Sequence, residues 1–123
     1  MKRQIVLGAV CLFFATPGFA QDVQTMSGVD FMVDWPKLMG QRVTILGGNI
    51  KFATSDGAML YLPGGYINVK PEWQDREDLR YLFKNCTEIA EGSICVMNVT
   101  GTVSKAEFSG DVELRDVDFD VPK

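Results

Sequence analysis

Apolar residues along this chain recur with two different periods. Over residues 41–52, Val43 and Ile45 share one parity, Ile50 and Phe52 share the other, and Gly47-Gly48 lies between the pairs. Alternation of this kind marks a half-buried strand. One extra residue at the glycines, as a β-bulge, returns all four side chains to a single buried face. The next two turns set registers. A three-residue loop at Ser55-Asp56-Gly57, with the glycine left-handed, places Phe52 opposite Leu60 and Ile50 opposite Leu62. A two-residue turn at Gly64-Gly65 places Leu62 opposite Ile67 and Leu60 opposite Val69. The two turns, read separately, bury the same apolar set. The opposite face then holds Lys51, Met59, Tyr61, Tyr66, Asn68 and Lys70.

The period changes over residues 75–86, where Leu79, Leu82, Phe83 and Cys86 recur at i, i+3, i+4 and i+7 and predict a helix. Asp75 suits the N-cap, Glu77 and Asp78 the positive first turn, and Lys84 the negative last turn. Alternation returns at 94–103, with Cys95, Met97 and Val99 on one face and a bend expected at Gly101. It returns again at 112–121 after a turn at Ser109-Gly110. There Val112 and Leu114 switch parity to Val117, Phe119 and Val121, so a second irregularity is expected near Arg115-Asp116. Residues 21–33 have no clear period and read as a lead-in, partly ordered at best. Residues 34–40 read as a short turn capped by Asp34, with Pro36 in its first turn and Gly40 at its end.

Three strands, one helix and two strands, the first strand long and bent by glycine, resemble the OB-fold. That fold is a five-stranded Greek-key barrel whose helix falls between strands 3 and 4. The resemblance covers residues 41–121 and rests on the element order, on Gly47-Gly48 and on Val99-Thr100-Gly101-Thr102-Val103. The chain also looks like the small exported OB-fold proteins of bacteria. Another small β-barrel, or an open sheet with one helix, is the alternative. The expected domain map is a leader over 1–20, a lead-in over 21–40 and a barrel over 41–121.

The leader reading comes from Lys2 and Arg3, an apolar run over residues 5–15, the helix-breaking Pro17-Gly18, and small residues at Gly18 and Ala20. That is the pattern of a cleavable secretory signal. The run is too short for the roughly 20 residues a membrane span needs. Periplasmic or secreted residence is therefore expected, with no membrane span after cleavage. The whole chain carries −4; losing Lys2 and Arg3 leaves 10 basic residues against 16 acidic and a charge of −6. An acidic domain repels phosphate backbones, so nucleic acid is not an expected partner. Cys11 leaves with the leader, and Cys86 and Cys95 remain as an even pair, expected to form a structural disulfide in an oxidising compartment. Their spacing does not match the C-x-x-C arrangement of thiol oxidoreductases.

Candidate chemistry is sparse. There is no histidine, which removes the commonest general base and metal ligand. Ser93, Ser104 and Ser109 therefore lack the usual catalytic partner. No catalytic set, metal site or cofactor is expected. Asp116, Asp118 and Asp120 alternate on one face about 7 Å apart in successive pairs, too widely for one cation to meet all three. They read instead as the polar side of a terminal strand. Trp35 and Trp73 read as packing residues at the barrel mouths. OB-folds that bind ligands do so on the face of their first three strands. Here Lys51, Tyr61 and Asn68 are expected to line up across those strands, with Tyr66 and Lys70 nearby. The leading expectation is a non-enzymatic binding or accessory module, acting through an unknown envelope protein, a saccharide or a small ligand. A small carboxylate-dependent hydrolase is one alternative. An obligate subunit of an envelope assembly, docking through Phe31, Met32, Met39 and Met59, is another.

Overall fold

A computed structural model of the chain describes residues 22–70, 76–88, 94–106 and 111–122. The expected leader, the Asp75 cap, Trp73 and the Ser109-Gly110 turn lie outside the described residues. The protein is mainly β, with six strands and two helices among those residues. The strands are β1 (Gln24–Ser27), β2 (Arg42–Thr54), β3 (Gly57–Leu62), β4 (Gly65–Lys70), β5 (Val96–Lys105) and β6 (Val112–Asp120). The helices are α1 (Gly28–Asp34) and α2 (Arg76–Asn85), and a 3₁₀ turn (Trp35–Lys37) follows α1. The strands are ordered β1-β2-β3-β4-β6-β5, and β2 also pairs with β5. That last pairing closes β2, β3, β4, β6 and β5 into a five-stranded barrel.

The lead-in is ordered, contrary to the expectation. β1 runs parallel to β2, with Gln24 opposite Val43 and Ser27 opposite Leu46. The Ser27 hydroxyl then accepts from the Asp30 amide at 3.1 Å and caps α1, which carries Phe31 into full burial. With β1 counted, α2 follows the fourth strand instead of the third. The turn over residues 34–40 is a continuation of α1: Asp34 makes no side-chain cap, Pro36 is the second residue of the 3₁₀ turn, and Gly40 adopts φ +80°.

Both expected bulges are present. The β2–β5 register shifts between Ile45 and Gly48, and the β5–β6 register shifts between Thr100 and Thr102, where Asp116 takes φ 52°. A Cβ on Gly48 would lie 2.2 Å from Leu60 Cδ1, and one on Gly101 2.9 Å from Val117 Cγ2. Both glycines therefore let a neighbouring strand's side chains pack directly onto backbone.

The hairpin registers differ from expectation by two residues. Ile50 faces Leu60, Leu60 faces Ile67, Leu62 faces Gly65, and Ala58 faces Val69. A shift of two preserves the face of every side chain, so Ile50, Leu60, Leu62, Ile67 and Val69 are all buried as a set. Phe52 is the exception. A third bulge between Lys51 and Thr54 turns it outward at φ 56°, leaves it 40% exposed, and seats Ala53 in the core instead.

Cys86 and Cys95 are disulfide-bonded and fully buried, with Cα atoms 5.9 Å apart. Their carbonyls also serve β2: Ile50 donates to the Cys95 carbonyl at 2.8 Å and Ala53 to the Cys86 carbonyl at 2.9 Å. The bridge thus fastens the end of α2 to the far half of β2. On α2, Leu82 is buried, whereas Phe83, expected in the buried stripe, is 41% exposed. The helix rests on the barrel through a narrower face than its period implies.

Candidate functional site

The polar face of β2, β3 and β4 carries the residues singled out from the sequence. Cross-strand pairing makes two rows. Lys51 lies opposite Met59, and Met59 opposite Asn68; Asn49 lies opposite Tyr61, and Tyr61 opposite Tyr66. Lys51, Tyr61 and Asn68 therefore do not form the single expected row, because the register is displaced by two. The side chains still converge. Tyr61 and Tyr66 stack with ring centroids 5.3 Å apart and planes inclined by 28°. The Lys51 ammonium sits 4.3 Å from the Tyr61 centroid. Contacts of both kinds are worth about 0.5–1.5 kcal/mol each. Tyr61 is thus flanked by a cation on one strand and an aromatic ring on the other, and Tyr66 remains 52% exposed.

Asn68 and Lys70 border a neighbouring cleft of about 270 Å³, whose wall also includes Met59 and Phe52. Phe52 is the residue that reasoning from the sequence missed. Parity alone assigns it to the core, and only the bulge turns it out. Lys70 lies opposite Arg115 on β6, and Arg115 in turn holds the Glu113 carboxylate at 3.0 Å. Asn68 lies opposite that same Glu113, which is buried.

The other candidates are differently placed. Val117 and Phe119 are buried while Asp116, Asp118 and Asp120 face outward. Asp118 pairs with Arg42 at 3.0 Å and Asp116 lies 3.8 Å from the same guanidinium. Arg42 also donates to the Asp116 carbonyl at 2.9 Å, which fastens the β6 bulge to β2. These two carboxylates approach one another through a cation. Among the described residues, no three His, Cys, Asp or Glu side chains gather as a metal site. Of the apolar patch expected for an assembly subunit, Phe31 is fully buried and Met32 packs on the core, while Met39 is 38% exposed. Trp35 likewise packs against the core. A larger concavity of about 690 Å³ follows α2, where Leu79 and Phe83 lie among Arg76, Arg80 and Lys84. No helix among the described residues is long and apolar enough to cross a membrane.

No protein-family profile and no curated protein sequence matches this chain. Among solved structures, it is similar to a protein named as an aspartyl-tRNA synthetase from Leishmania major Friedlin, at 13% identity and a TM-score of 0.52. The match covers 88% of this chain and 22% of that one. At this identity the likeness is one of fold alone, shared with a fraction of a much longer protein.

Proposed function

We propose that this chain is an exported, non-enzymatic binding or accessory module that works through the face bearing Tyr61 and Tyr66. The observation that carries the reading is the assembled stack: Lys51, Tyr61 and Tyr66 come from three strands and meet at 4.3 and 5.3 Å. Such a surface is organised before any ligand arrives, which lowers the ordering cost of binding. Supporting the OB-type reading of the barrel, the five barrel strands without β1 run β2-β3-β4-β6-β5, and along the chain α2 falls between the third and fourth of them. OB-type barrels that take ligands use this same face. Export is supported by the amino-terminal pattern and by the buried Cys86–Cys95 bridge, which suits an oxidising compartment. The partner classes in view are an envelope protein, a saccharide or a small ligand.

The test compares the wild-type protein with Tyr61→Ala/Tyr66→Ala, each immobilised and exposed to envelope extract and to a glycan array. A ligand retained by the wild type and lost by the double variant, with unchanged far-UV circular dichroism, supports the reading. Equal retention by both proteins of everything that binds sinks it.

A further inference from the structure

We infer that the outward face of α2 is a docking surface, separate from the tyrosine face, and that it takes an acidic amphipathic helix of another protein. The first support is apolar surface that the fold leaves unused. Leu79, Leu82, Phe83 and Cys86 share one stripe, but the barrel fully covers only Leu82 and Cys86. Leu79 is half-buried and Phe83 is 41% exposed. The second support is a row of cations beside them. Arg76, Arg80 and Lys84 recur at i, i+4 and i+8, all exposed, and with Leu79 and Phe83 they line one concavity of about 690 Å³. That row works against the helix that bears it. Like charges four residues apart repel, and Arg76 opens the helix, where the macrodipole favours an anion. Glu77 pairs with Arg80 and offsets part of this. Arg76 and Lys84 make no ion pair among the described residues. The cations are therefore not explained by the stability of α2, and they sit where an acidic partner would meet them.

The partner's chemistry follows from the spacing. Arg76 and Lys84 lie eight residues apart, about 12 Å along the helix axis. Two carboxylates eight residues apart on a second helix match them, and apolar residues three and seven positions after the first carboxylate match Leu79 and Phe83. Antiparallel packing then brings apolar edge to apolar edge and anion to cation. Opposite charges flanking an apolar seam set partner choice and orientation, as in coiled coils. Other occupants fit less well. A second copy of this chain would bring the same three cations against these. A bilayer is flat and does not fill a concavity, and the net charge of −4 opposes approach to an anionic leaflet. The same charge disfavours nucleic acid. Addition of a peptide as a β-strand needs a sheet edge, which a helix does not offer.

The probe is an acetylated, amidated 17-residue alanine-based peptide with glutamates at its fifth, ninth and thirteenth positions and leucines at its eighth and twelfth. A control peptide carries glutamine for each glutamate. Both are titrated by amide NMR into the wild type, Arg76→Gln/Lys84→Gln and Phe83→Ser, with melting temperatures recorded, and the three proteins are also sedimented with phosphatidylglycerol vesicles. The glutamate peptide is expected to shift resonances of residues 76–86 saturably and to bind at least 10-fold tighter than its control, a preference that shrinks as salt is raised. Each variant is expected to weaken it at least 5-fold. The charge variant is expected to melt at or above the wild-type temperature, because it removes like-charge repulsion. A charge variant that melts well below the wild type gives the cations a structural role and overturns their assignment to binding. Equal binding of the two peptides overturns the charge argument. Binding unchanged in both variants, or shifts centred on Tyr61 and Tyr66, overturns the placement on α2. Vesicle binding that both variants lose, with no peptide binding, overturns the partner class in favour of a lipid surface. No saturable binding of either peptide or of vesicles overturns the inference and leaves the tyrosine face to its own test.

Discussion

Gly48→Ala is the sharpest test of how this barrel is packed. The glycine lies just after the first bulge of β2, buried over β3. A methyl group there would meet Leu60 Cδ1 at 2.2 Å, Leu60 Cγ at 3.0 Å and Leu62 Cδ2 at 3.3 Å. Leu60 is fully buried and has no solvent to swing into. Either its rotamer or the spacing of β2 and β3 must change, and overpacking of this kind costs typically about 1–3 kcal/mol. Taking about 2 kcal/mol, and 4–8 °C per kcal/mol for a domain of this size, the melting temperature should fall by roughly 8–16 °C. Gly47→Ala is the control. Its Cβ would meet nothing within 4 Å, but φ is +66°, so its cost is the left-handed penalty of about 1–2 kcal/mol and involves no core side chain. A further variant, Gly48→Ala/Leu60→Ala, separates the two glycines, because its second change makes room for the first. Leu60→Ala alone should cost about 2–5 kcal/mol. Urea unfolding of the wild type, the Gly48 and Leu60 single variants and this pair closes a double-mutant cycle. The double variant should be more stable than the sum of the single losses by over about 1 kcal/mol, because neighbours in contact couple. Strict additivity, with Gly48→Ala no worse than Gly47→Ala, would refute the packing argument.

Three further outcomes are expected. Cys86→Ser/Cys95→Ser opens a loop of about ten residues and should cost about 2.7 kcal/mol by loop-closure entropy, visible as a lower melting temperature that reducing agent does not lower further. Arg42→Ala removes the contacts to Asp118 and to the Asp116 carbonyl and should cost about 1 kcal/mol; Arg42→Lys should recover little of it, because one ammonium cannot reproduce the forked geometry. Ser27→Ala removes the cap of α1 and should cost about 1 kcal/mol, with hydrogen exchange quickening first at residues 28–34.

What could be read from the chain, and what could not, divides along physical lines. Side-chain faces were legible in β3 and β4 because strand periodicity is two, so a register displaced by two residues still buries Leu60, Leu62, Ile67 and Val69 together. For the same reason Lys51, Tyr61 and Tyr66 were placed on a common surface although the predicted row was not the observed one. The Gly47-Gly48 and Arg115-Asp116 irregularities announced themselves as parity switches. The bulge at Phe52 did not, since it is imposed by the carbonyls of Cys86 and Cys95, more than 30 residues away. β1 was illegible for a related reason: a four-residue parallel strand, mostly exposed, has no alternation of its own and exists through its pairing with β2. A local signal for α1 was available, in Ser27 followed three residues later by Asp30 and then by Phe31, the arrangement of a capped helix start.

β1 carries one consequence for the molecule's behaviour in company. Opposite β5, the edge of β2 is occupied by β3 from Asn49 onward, and by β1 from Val43 to Leu46. Residues Arg42 to Leu46 would otherwise present bare main-chain amides and carbonyls beside an exposed Leu46. An open edge of that kind is a template for another chain. A fragment starting at residue 41 would keep every barrel strand, yet it should self-associate at concentrations where the longer chain stays monodisperse. By this reasoning the short strand ahead of the barrel shields the β2 edge from other copies of the molecule.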